Sequence, residues 1–262
     1  MQERWRILAD DLTGAADAAT EFARRGVQTW VTWGEPNTRN CGAAVVLAYD
    51  CDSRRLGARA AAQQQRAAVI RLRAECAPHA VLFKKIDSTL RGQPAAEIAA
   101  LCSAVNVPGK SAFGICAPAN PSMGRTLRDG RVWVHGEPLE NTETWLREHN
   151  YPDADLVTIV ASAGLRAIKL PLGQVRAGPA ALRAALAATA APASDGAGTA
   201  GLAQACAMCR SPRGCCQATM RGCARAWRST SAPRSSGAST CWSRCRSKRN
   251  PIWLRVRRWR VR

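Results

Sequence analysis

The chain has 262 residues and a hydrophobic fraction of 47%, which is enough for one or two domains with a substantial core. Its formal net charge is +19, but residues 1–200 carry 23 Lys and Arg against all 19 acidic residues, whereas residues 201–262 carry 15 Lys and Arg and no acid. This distribution excludes a uniformly basic nucleic-acid-binding protein and confines the basic character to a C-terminal tail.

Cysteine usage and the N-terminus both indicate a cytoplasmic protein. Five of the 12 cysteines are scattered through residues 1–200, and the other seven crowd into the tail. Scattered cysteines in apolar surroundings are typical of reduced thiols in a cytosolic protein. The charged residues 1–6 are not followed by the apolar segment of a signal peptide, and no apolar run approaches transmembrane length. We therefore expect a soluble, cytoplasmic protein without a membrane partner.

Strands and helices are predicted to alternate along the first 190 residues. The predicted strands cover residues 5–9, 27–33, 43–48, 80–83, 111–117 and 166–170. The predicted helices cover 15–25, a long segment ending near residue 75, 93–105, 155–163 and a segment beginning at 179, and residues 131–139 form a hairpin. This alternation predicts an α/β fold, with a Rossmann-like, mainly parallel sheet and helices on both faces, followed by an irregular or disordered basic tail.

The first predicted strand is followed by two adjacent acids. Asp10 and Asp11 precede Leu12-Thr13-Gly14 and the first helix. Ligands of open α/β sheets bind at the carboxyl ends of the strands, where both carboxylates would project. Either Asp11 or Thr13 could instead serve only as the N-cap of the helix. Two acids and a hydroxyl are more than a cap requires, which favours a binding role.

The stretch with the richest chemistry follows the strand at 80–83. It reads Lys84-Lys85-Ile86-Asp87-Ser88-Thr89-Leu90-Arg91-Gly92. Arg91 can hold a carboxylate or phosphate through two parallel hydrogen bonds, and Lys85 adds a point charge. Asp87 can accept a proton or hydrogen bond from a hydroxyl, and Gly92 lets the backbone approach a ligand closely. The stretch suits a small, anionic, hydroxylated ligand; the alternative is a polar turn whose charges are solvated.

Polar residues also follow two other predicted strands. Asp52-Ser53-Arg54 comes after the third strand, and a loop rich in Pro and Gly, residues 118–126, contains Asn120 and Arg125 after the fifth. Both are expected at the same edge of the sheet as the two loops above. The segment Gly109-Lys110-Ser111 is not a P-loop, because Ala104 stands where that motif needs glycine. The three histidines lack the spacing of a metal site, and none is predicted.

Taken together, these motifs resemble one family, the four-carbon acid sugar kinases. The resemblance is carried by Leu8-Ala9-Asp10-Asp11-Leu12-Thr13-Gly14, Asp52-Ser53-Arg54, the stretch from Lys84 to Gly92, residues 118–126 and Val134-His135-Gly136. It runs from about residue 5 to about residue 190. It implies that residues 1–190 form the N-terminal, substrate-binding domain of an enzyme that phosphorylates tetronates such as threonate, erythronate or 3-oxo-tetronate with ATP.

The resemblance also implies a set of site residues. Those expected to form the substrate pocket are Asp10, Asp11, Thr13, Ser53, Arg54, Lys85, Asp87, Ser88, Arg91, Gly92 and Arg125. Arg91 or Arg54 would bind the carboxylate of the substrate, and Asp87 or Asp11 would be the catalytic base. ATP and Mg²⁺ are expected for the family, but no sequence resembling their C-terminal binding domain is evident in this chain. The partner is a small sugar acid, whose stereochemistry stays open, as does the oligomeric state.

The composition of the chain changes after residue 190, and residues 191–262 allow three interpretations. The favoured one is out-of-frame translation of a GC-rich gene, which gives a tail rich in Arg, Cys and Trp without a stable fold. The second is a basic arm that binds nucleic acid through arginines and stacking tryptophans, disfavoured because it would expose seven thiols. The third is a zinc knuckle built from the cysteines between 206 and 223, whose second pair is badly spaced.

Two functions follow from these interpretations. The leading one is a sugar acid kinase by lineage, in a truncated or frameshifted copy that lacks the ATP domain and therefore kinase activity. The alternative is a non-enzymatic binding protein in which the α/β domain is a scaffold and the basic tail contacts nucleic acid.

Overall fold

A computed structural model of the chain describes residues 4–34, 45–74, 80–106, 112–148, 151–190, 201–205 and 253–258. In chain order, its strands are β1 (Trp5–Ala9), β2 (Thr29–Thr32), β3 (Val46–Asp50), β4 (Val81–Lys84), β5 (Ala112–Ala117), β6 (Arg125–Arg128), β7 (Arg131–Val134), β8 (Glu137–Pro138), β9 (Arg166–Leu170), β10 (Gly201–Ala205) and β11 (Trp253–Arg258). Its helices are α1 (Leu12–Ala23), α2 (Ala58–Ala74), α3 (Pro94–Val105), α4 (Glu143–Glu148), α5 (Leu156–Ala161), α6 (Leu172–Arg176) and α7 (Pro179–Ala190).

The described strands form a large sheet in the order β2-β3-β1-β4-β11-β5-β10-β9. Every neighbouring pair is parallel except the two pairs that involve β11. The predicted α/β fold with a mainly parallel sheet is therefore confirmed. Within the described residues, no helix is both long enough and apolar enough to cross a membrane.

Helices cover both faces of the sheet, as predicted, because alternate residues of β1 are apolar in both directions. Ile7 and Ala9 belong to a buried cluster that includes Ala15 and Ala18 of α1. Leu8 points the other way, into a cluster that contains side chains of α2 and α3. Burial on both sides makes β1 an interior strand of the sheet, and its carboxyl end opens at Asp10.

Two element boundaries differ from the sequence prediction in a way that bears on the site. α1 begins at Leu12 rather than Ala15, because the side chain of Asp11 caps it. β3 runs from Val46 to Asp50 rather than over 43–48, so the loop after it begins at residue 51 rather than at residue 49. Residues 43 and 44 lie outside the described ranges. The predicted start of the loop at Tyr49 is therefore wrong, since Tyr49 is still paired in the sheet and buried.

A small antiparallel sheet, β6-β7-β8, sits beyond β5. The predicted hairpin at 131–139 is confirmed by the pairing of β7 with β8, and its turn is made by His135 and Gly136 with φ values of +50° and +94°. β6 was not predicted, because Arg125–Arg128 is short, half polar and preceded by a loop rich in Pro and Gly. Its pairing with β7 fixes the position of Arg125.

Two segments of the tail are described, and both are strands of the large sheet. β10 lies parallel between β5 and β9, and β11 lies antiparallel between β4 and β5. The cysteines of the zinc interpretation, between 206 and 223, lie outside the described residues. The predicted domain boundary at residue 190 stays a prediction.

Candidate functional site

The loops after β1, β3 and β4 meet at the carboxyl edge of the sheet because β1 pairs with both of its neighbours there. The backbone N–H groups of Ser53 and Arg54 both donate to the carbonyl of Asp10, each at 3.0 Å. On the other side, the N–H of Lys85 donates to the carbonyl of Leu8 at 2.7 Å. Three of the sequence segments that carry the family resemblance therefore lie side by side at this edge and form one surface.

Asp10 and Arg54 form the centre of that surface. Arg54 donates to the carboxylate of Asp10 through Nε at 2.5 Å and Nη2 at 2.9 Å, the two-bond arrangement that fits a guanidinium to a carboxylate. Asp10 is 2% exposed. Burial favours its neutral form, but the positive charges of Lys84 and Arg54 outweigh burial and lower the pKa of Asp10.

Asp11 is both a cap and a partner of Arg54. Its Oδ1 accepts from the N–H of Gly14 at 2.7 Å, which confirms the N-cap alternative for this residue. Its Oδ2 lies 3.2 Å from Arg54 Nη1, and the side chain keeps 32% of its exposure. A Cβ on Gly14 would come within 2.7 Å of Asp11 Oδ1, so a larger residue there would displace the capping carboxylate. Thr13 lies in the first turn of α1 and is exposed.

Asp87 is held by its own loop. Arg91 donates to it through Nε at 3.0 Å and Nη2 at 3.1 Å, and both the hydroxyl and the N–H of Thr89 donate to Oδ2. Arg54 Nη1 lies 3.9 Å from Oδ1 and links this pair to the first. Burial alone would raise the pKa of Asp87, but the hydrogen bonds of Arg91 and Thr89 and the two arginine charges hold it far below its ordinary value.

Ser88 and Arg125 extend the surface toward the small sheet. Arg125 Nη1 donates to the hydroxyl of Ser88 at 2.5 Å. Ser88 is 3% exposed. We call Asp10, Asp11, Arg54, Asp87, Arg91, Ser88 and Arg125 together the strand-end cluster.

A second, deeper group of charges lies behind the cluster. Lys84 Nζ is 2.8 Å from Glu97 Oε2, and both residues are at least 98% buried. The other oxygen of Glu97 accepts from the Ser53 hydroxyl at 2.5 Å, and Gln65 donates to the same hydroxyl at 3.1 Å. Burial would lower the pKa of Lys84, but the charges of Glu97 and Asp10 raise it. We call Lys84, Glu97, Ser53 and Gln65 the buried network.

The buried network changes the meaning of two sequence predictions. A solvated Lys84, the alternative interpretation of this stretch, is wrong, because β4 carries Lys84 into the interior beneath α3. Ser53 is fully buried with its hydroxyl engaged, so it lies behind the cluster rather than on its surface. Glu97 and Gln65 were missed. The available signal was that Glu97 precedes Ile98 and lies four residues before Leu101, both on the apolar face of α3.

Lys85 and Gly92 flank the cluster. Lys85 is 8% exposed, and its Nζ donates to the carbonyl of Ile86 at 3.1 Å. Burial outweighs the attraction of Asp87 and Asp10 and lowers the pKa of Lys85. A Cβ on Gly92, which has a φ of +78°, would lie 3.0 Å from Asp10 Oδ2. The expected close approach at Gly92 is thus an approach to the Asp10 carboxylate.

Backbone strain concentrates in the same loops. Asp52 and Leu90 adopt φ values of +46° and +60°, a region that side chains other than glycine rarely occupy. Leu90 does so while fully buried. Such conformations cost about 1–3 kcal/mol and persist only where the surroundings fix them. The packing around Leu90 and the contacts of the neighbouring residues therefore fix the course of these loops in this structure.

The arrangement offers cations for an anion and carboxylates for hydroxyl groups, all within reach of one another. Among the described residues, no group of three or more His, Cys, Asp or Glu side chains is arranged to hold a metal ion. The carboxylates of Asp10 and Asp87 are instead neutralised by guanidinium groups. The buried thiols of Cys102 and Cys116 take no part, and burial raises the pKa of each to about 12.

Comparison with known proteins gives a family model, described as a sugar-binding N-terminal domain, that matches residues 5–212. The chain is 44% identical over 184 residues to a D-threonate kinase of Cupriavidus necator, covering 70% of this chain and 42% of the relative. It is 35% identical over 140 residues to a D-threonate kinase of Salmonella typhimurium, covering 52% and 31%. It is 32% identical over 174 residues to a 3-oxo-tetronate kinase of Methylobacterium radiotolerans, covering 64% and 39%. The chain thus spans less than half the length of these relatives.

Solved structures also match the fold of this chain. A crystal structure of a Bordetella bronchiseptica protein of unknown function, a domain-swapped dimer with bound citrate, matches with a TM-score of 0.62 and 32% identity over 79% of this chain and 49% of that one. A Salmonella typhimurium protein described as a putative tRNA synthase matches with a TM-score of 0.67 at 20% identity, over 87% and 51%, and supports the fold alone. Because the family model covers most of the chain and the curated relatives are tetronate kinases, the chain belongs to the four-carbon acid sugar kinase family, in which it matches the sugar-binding N-terminal domain.

Proposed function

We propose that this chain contains the tetronate-binding half of an ATP-dependent four-carbon acid sugar kinase, with D-threonate as the leading substrate. One observation carries the proposal: three arginines and three carboxylates, from three loops and from strand β6, converge at the strand-end cluster. A tetronate presents one carboxylate and several adjacent hydroxyls, and this set of side chains complements both. The names of the relatives and the citrate bound by the Bordetella protein, itself a hydroxylated carboxylate, support the same ligand class.

The geometry favours Asp11 over Asp87 as the group that faces the reacting hydroxyl. Both oxygens of Asp87 accept hydrogen bonds, and its lowered pKa makes it a poor proton acceptor. Asp11 Oδ2 has Arg54 as its partner at 3.2 Å and is partly exposed. In the proposed reaction the hydroxyl oxygen bonds to the γ-phosphorus, the bond from that phosphorus to ADP breaks, and the hydroxyl proton passes to Asp11.

The proposed reaction also needs ATP and Mg²⁺, which the family resemblance assigns to a C-terminal domain rather than to the strand-end cluster. The last acidic residue of the chain is Asp195, so no carboxylate ligand for magnesium can come from residues 196–262. We propose that an out-of-frame sequence begins at or before residue 212, where the family match ends. We also propose that the chain by itself does not transfer phosphate. ADP formation that depends on D-threonate, measured on the purified chain, would contradict this.

The binding proposal is tested by thermal unfolding of the full chain with and without D-threonate. We expect D-threonate to raise the melting temperature of the native chain. Asp11→Asn keeps an oxygen to cap α1 but removes the charge, and we expect it to lose most of that increase. Asp17→Asn, on the exposed side of the same helix, is the matched control and should keep it. No increase for the native chain with any tetronate would overturn the proposal.

The rival function, a scaffold with a nucleic-acid-binding tail, draws on the 15 Lys and Arg and no acid after residue 200. Retention of the full chain on duplex DNA at low salt, released steeply as salt rises, would support it.

The origin of the tail is tested on the coding DNA. A second reading frame that continues into a glycine-rich domain from about codon 180 identifies the tail as out of frame, whereas its absence makes the rival function the better account.

A further inference from the structure

Arg54 and Arg91, the two arginines expected to bind the substrate carboxylate, already have protein carboxylates. Arg54 is paired with Asp10 through two hydrogen bonds and contacts Asp11 as well. Arg91 is paired with Asp87 through two more. A ligand carboxylate bound by either would have to displace a protein carboxylate or share its donors.

Arg125 is in a different state. In the described part of the chain, no Asp or Glu oxygen lies within 4.0 Å of its guanidinium, and the one hydrogen bond it donates goes to the neutral hydroxyl of Ser88. Its Nε is buried without a hydrogen-bond partner among those residues. A buried donor without a partner is costly, and a guanidinium without an anion more so, so an anion from outside the protein would stabilise Arg125 in this position.

Both members of the Arg125–Ser88 pair are fixed in place. Arg125 exchanges backbone hydrogen bonds with Asn120 at 2.8 and 3.0 Å and pairs with Val134 in the small sheet. Ser88 lies between Asp87 and Thr89, both of which are held in the hydrogen-bonded loop. The hydroxyl of Ser88 accepts from Arg125, and its own hydrogen has no acceptor among the described residues. A carboxylate can accept from both side chains at once.

We infer that Arg125, with Ser88, is the residue that binds the substrate carboxylate and makes the site select sugar acids over neutral sugars. This inference rests on the proposed function, since it assigns one part of the same ligand. Arg54 and Arg91 then act through Asp10 and Asp87, holding the carboxylates in position. The strand-end cluster divides into an anion end at Arg125 and a hydroxyl end at Asp11.

The test compares three four-carbon ligands on the full chain by titration calorimetry: D-threonate, the neutral tetritol threitol, and succinate, which has carboxylates but no hydroxyls. We expect Arg125→Gln to weaken D-threonate binding about tenfold or more and to leave threitol binding, however weak, unchanged. Arg125→Lys should fall between the two, because it keeps the charge without the two-donor fork. Arg59→Gln, an exposed arginine on α2, removes the same charge and should change nothing.

The outcomes separate this inference from the proposed function. If Arg125→Gln binds D-threonate as tightly as the native chain, or loses threitol to the same extent, the inference is wrong. If the native chain binds succinate through Arg125 but no tetronate, the assignment of a carboxylate to Arg125 stands, while the selection of sugar acids and the proposed function both fail. If it binds none of the three ligands, both fail. The melting temperature of each variant without ligand shows whether it is folded.

Discussion

The buried network and the strand-end cluster share the segment Lys84 to Gly92, yet they are built in opposite ways. In the buried network, Lys84 and Glu97 are shielded from water, the Ser53 hydroxyl donates to the Glu97 carboxylate, and Gln65 donates to that hydroxyl. In the cluster, the side chains of Asp11 and Arg91 keep 32% and 36% of their exposure.

The difference separates charges that are closed off from water from charges that a ligand could reach. A charge removed from water has to be neutralised within the protein, as Glu97 neutralises Lys84 in the buried network. A site has to keep some donors and acceptors incomplete, as Asp11 and Arg125 do. Residues of one motif therefore lie in different surroundings: Lys84 belongs to the buried network, while Asp87 and Ser88 belong to the strand-end cluster.

The largest effect is expected from breaking the buried network. Glu97→Gln keeps the shape of the side chain but leaves the Lys84 ammonium without its counter-charge in the interior. We expect the free energy of unfolding to fall by about 3–5 kcal/mol, as measured by urea denaturation. The double variant Lys84→Met with Glu97→Gln should recover part of the loss, because the unpaired charge is gone. A loss below about 1 kcal/mol for Glu97→Gln would mean that the pair is not closed to water.

A smaller effect with a pH signature is expected from Asp87→Asn. The hydrogen bonds of Asp87 to Arg91 and Thr89 are charge-assisted, and their loss should cost about 2–3 kcal/mol at pH 7. The pKa of Asp87 is lower in the folded protein than in the unfolded chain. Its contribution is therefore fully present above the unfolded value of about 3.9 and is lost as pH falls toward the folded one.

The measurement is the difference in unfolding free energy between the native chain and Asp87→Asn from pH 7 down to pH 3. We expect the difference to shrink once the pH falls below about 4. A constant difference over this range would show that the charge of Asp87 is not what stabilises the loop. Asp129→Asn, in the turn between β6 and β7, serves as a control without such a hydrogen-bond set.

The smallest effect is expected from Ser53→Ala, which tests whether Ser53 belongs to the buried network or to the substrate pocket. Ser53→Ala removes a hydroxyl that links Glu97 to Gln65, which should cost roughly 1–2 kcal/mol of stability. Since Ser53 lies in the buried network, D-threonate binding should weaken much less than in Arg125→Gln. An equally large loss of binding, without loss of stability, would show that Ser53 belongs to the substrate pocket, as the family resemblance implies.

Much of the fold could be predicted from the sequence, because β1, β4 and the helices after them have strong apolar periodicity and clear ends. Strand β6 could not, since its four residues depend on pairing with β7 rather than on their own pattern. The site loops were predicted because parallel strands bring their carboxyl ends together. What the sequence could not show was the allocation of partners: the motif names Lys84, Lys85 and Arg91 alike as cations, and only packing separates the buried one from the others.

The most direct test is a crystal structure of the full chain soaked with D-threonate. The account predicts the ligand at the carboxyl edge of the sheet, with its carboxylate on Arg125 and Ser88, its hydroxyls toward Asp11, and the Asp10–Arg54 and Asp87–Arg91 pairs intact. A ligand bound away from these loops would contradict the assignment of the site. A carboxylate seated on Arg54 or Arg91, with the protein carboxylates displaced, would contradict the division of labour within it.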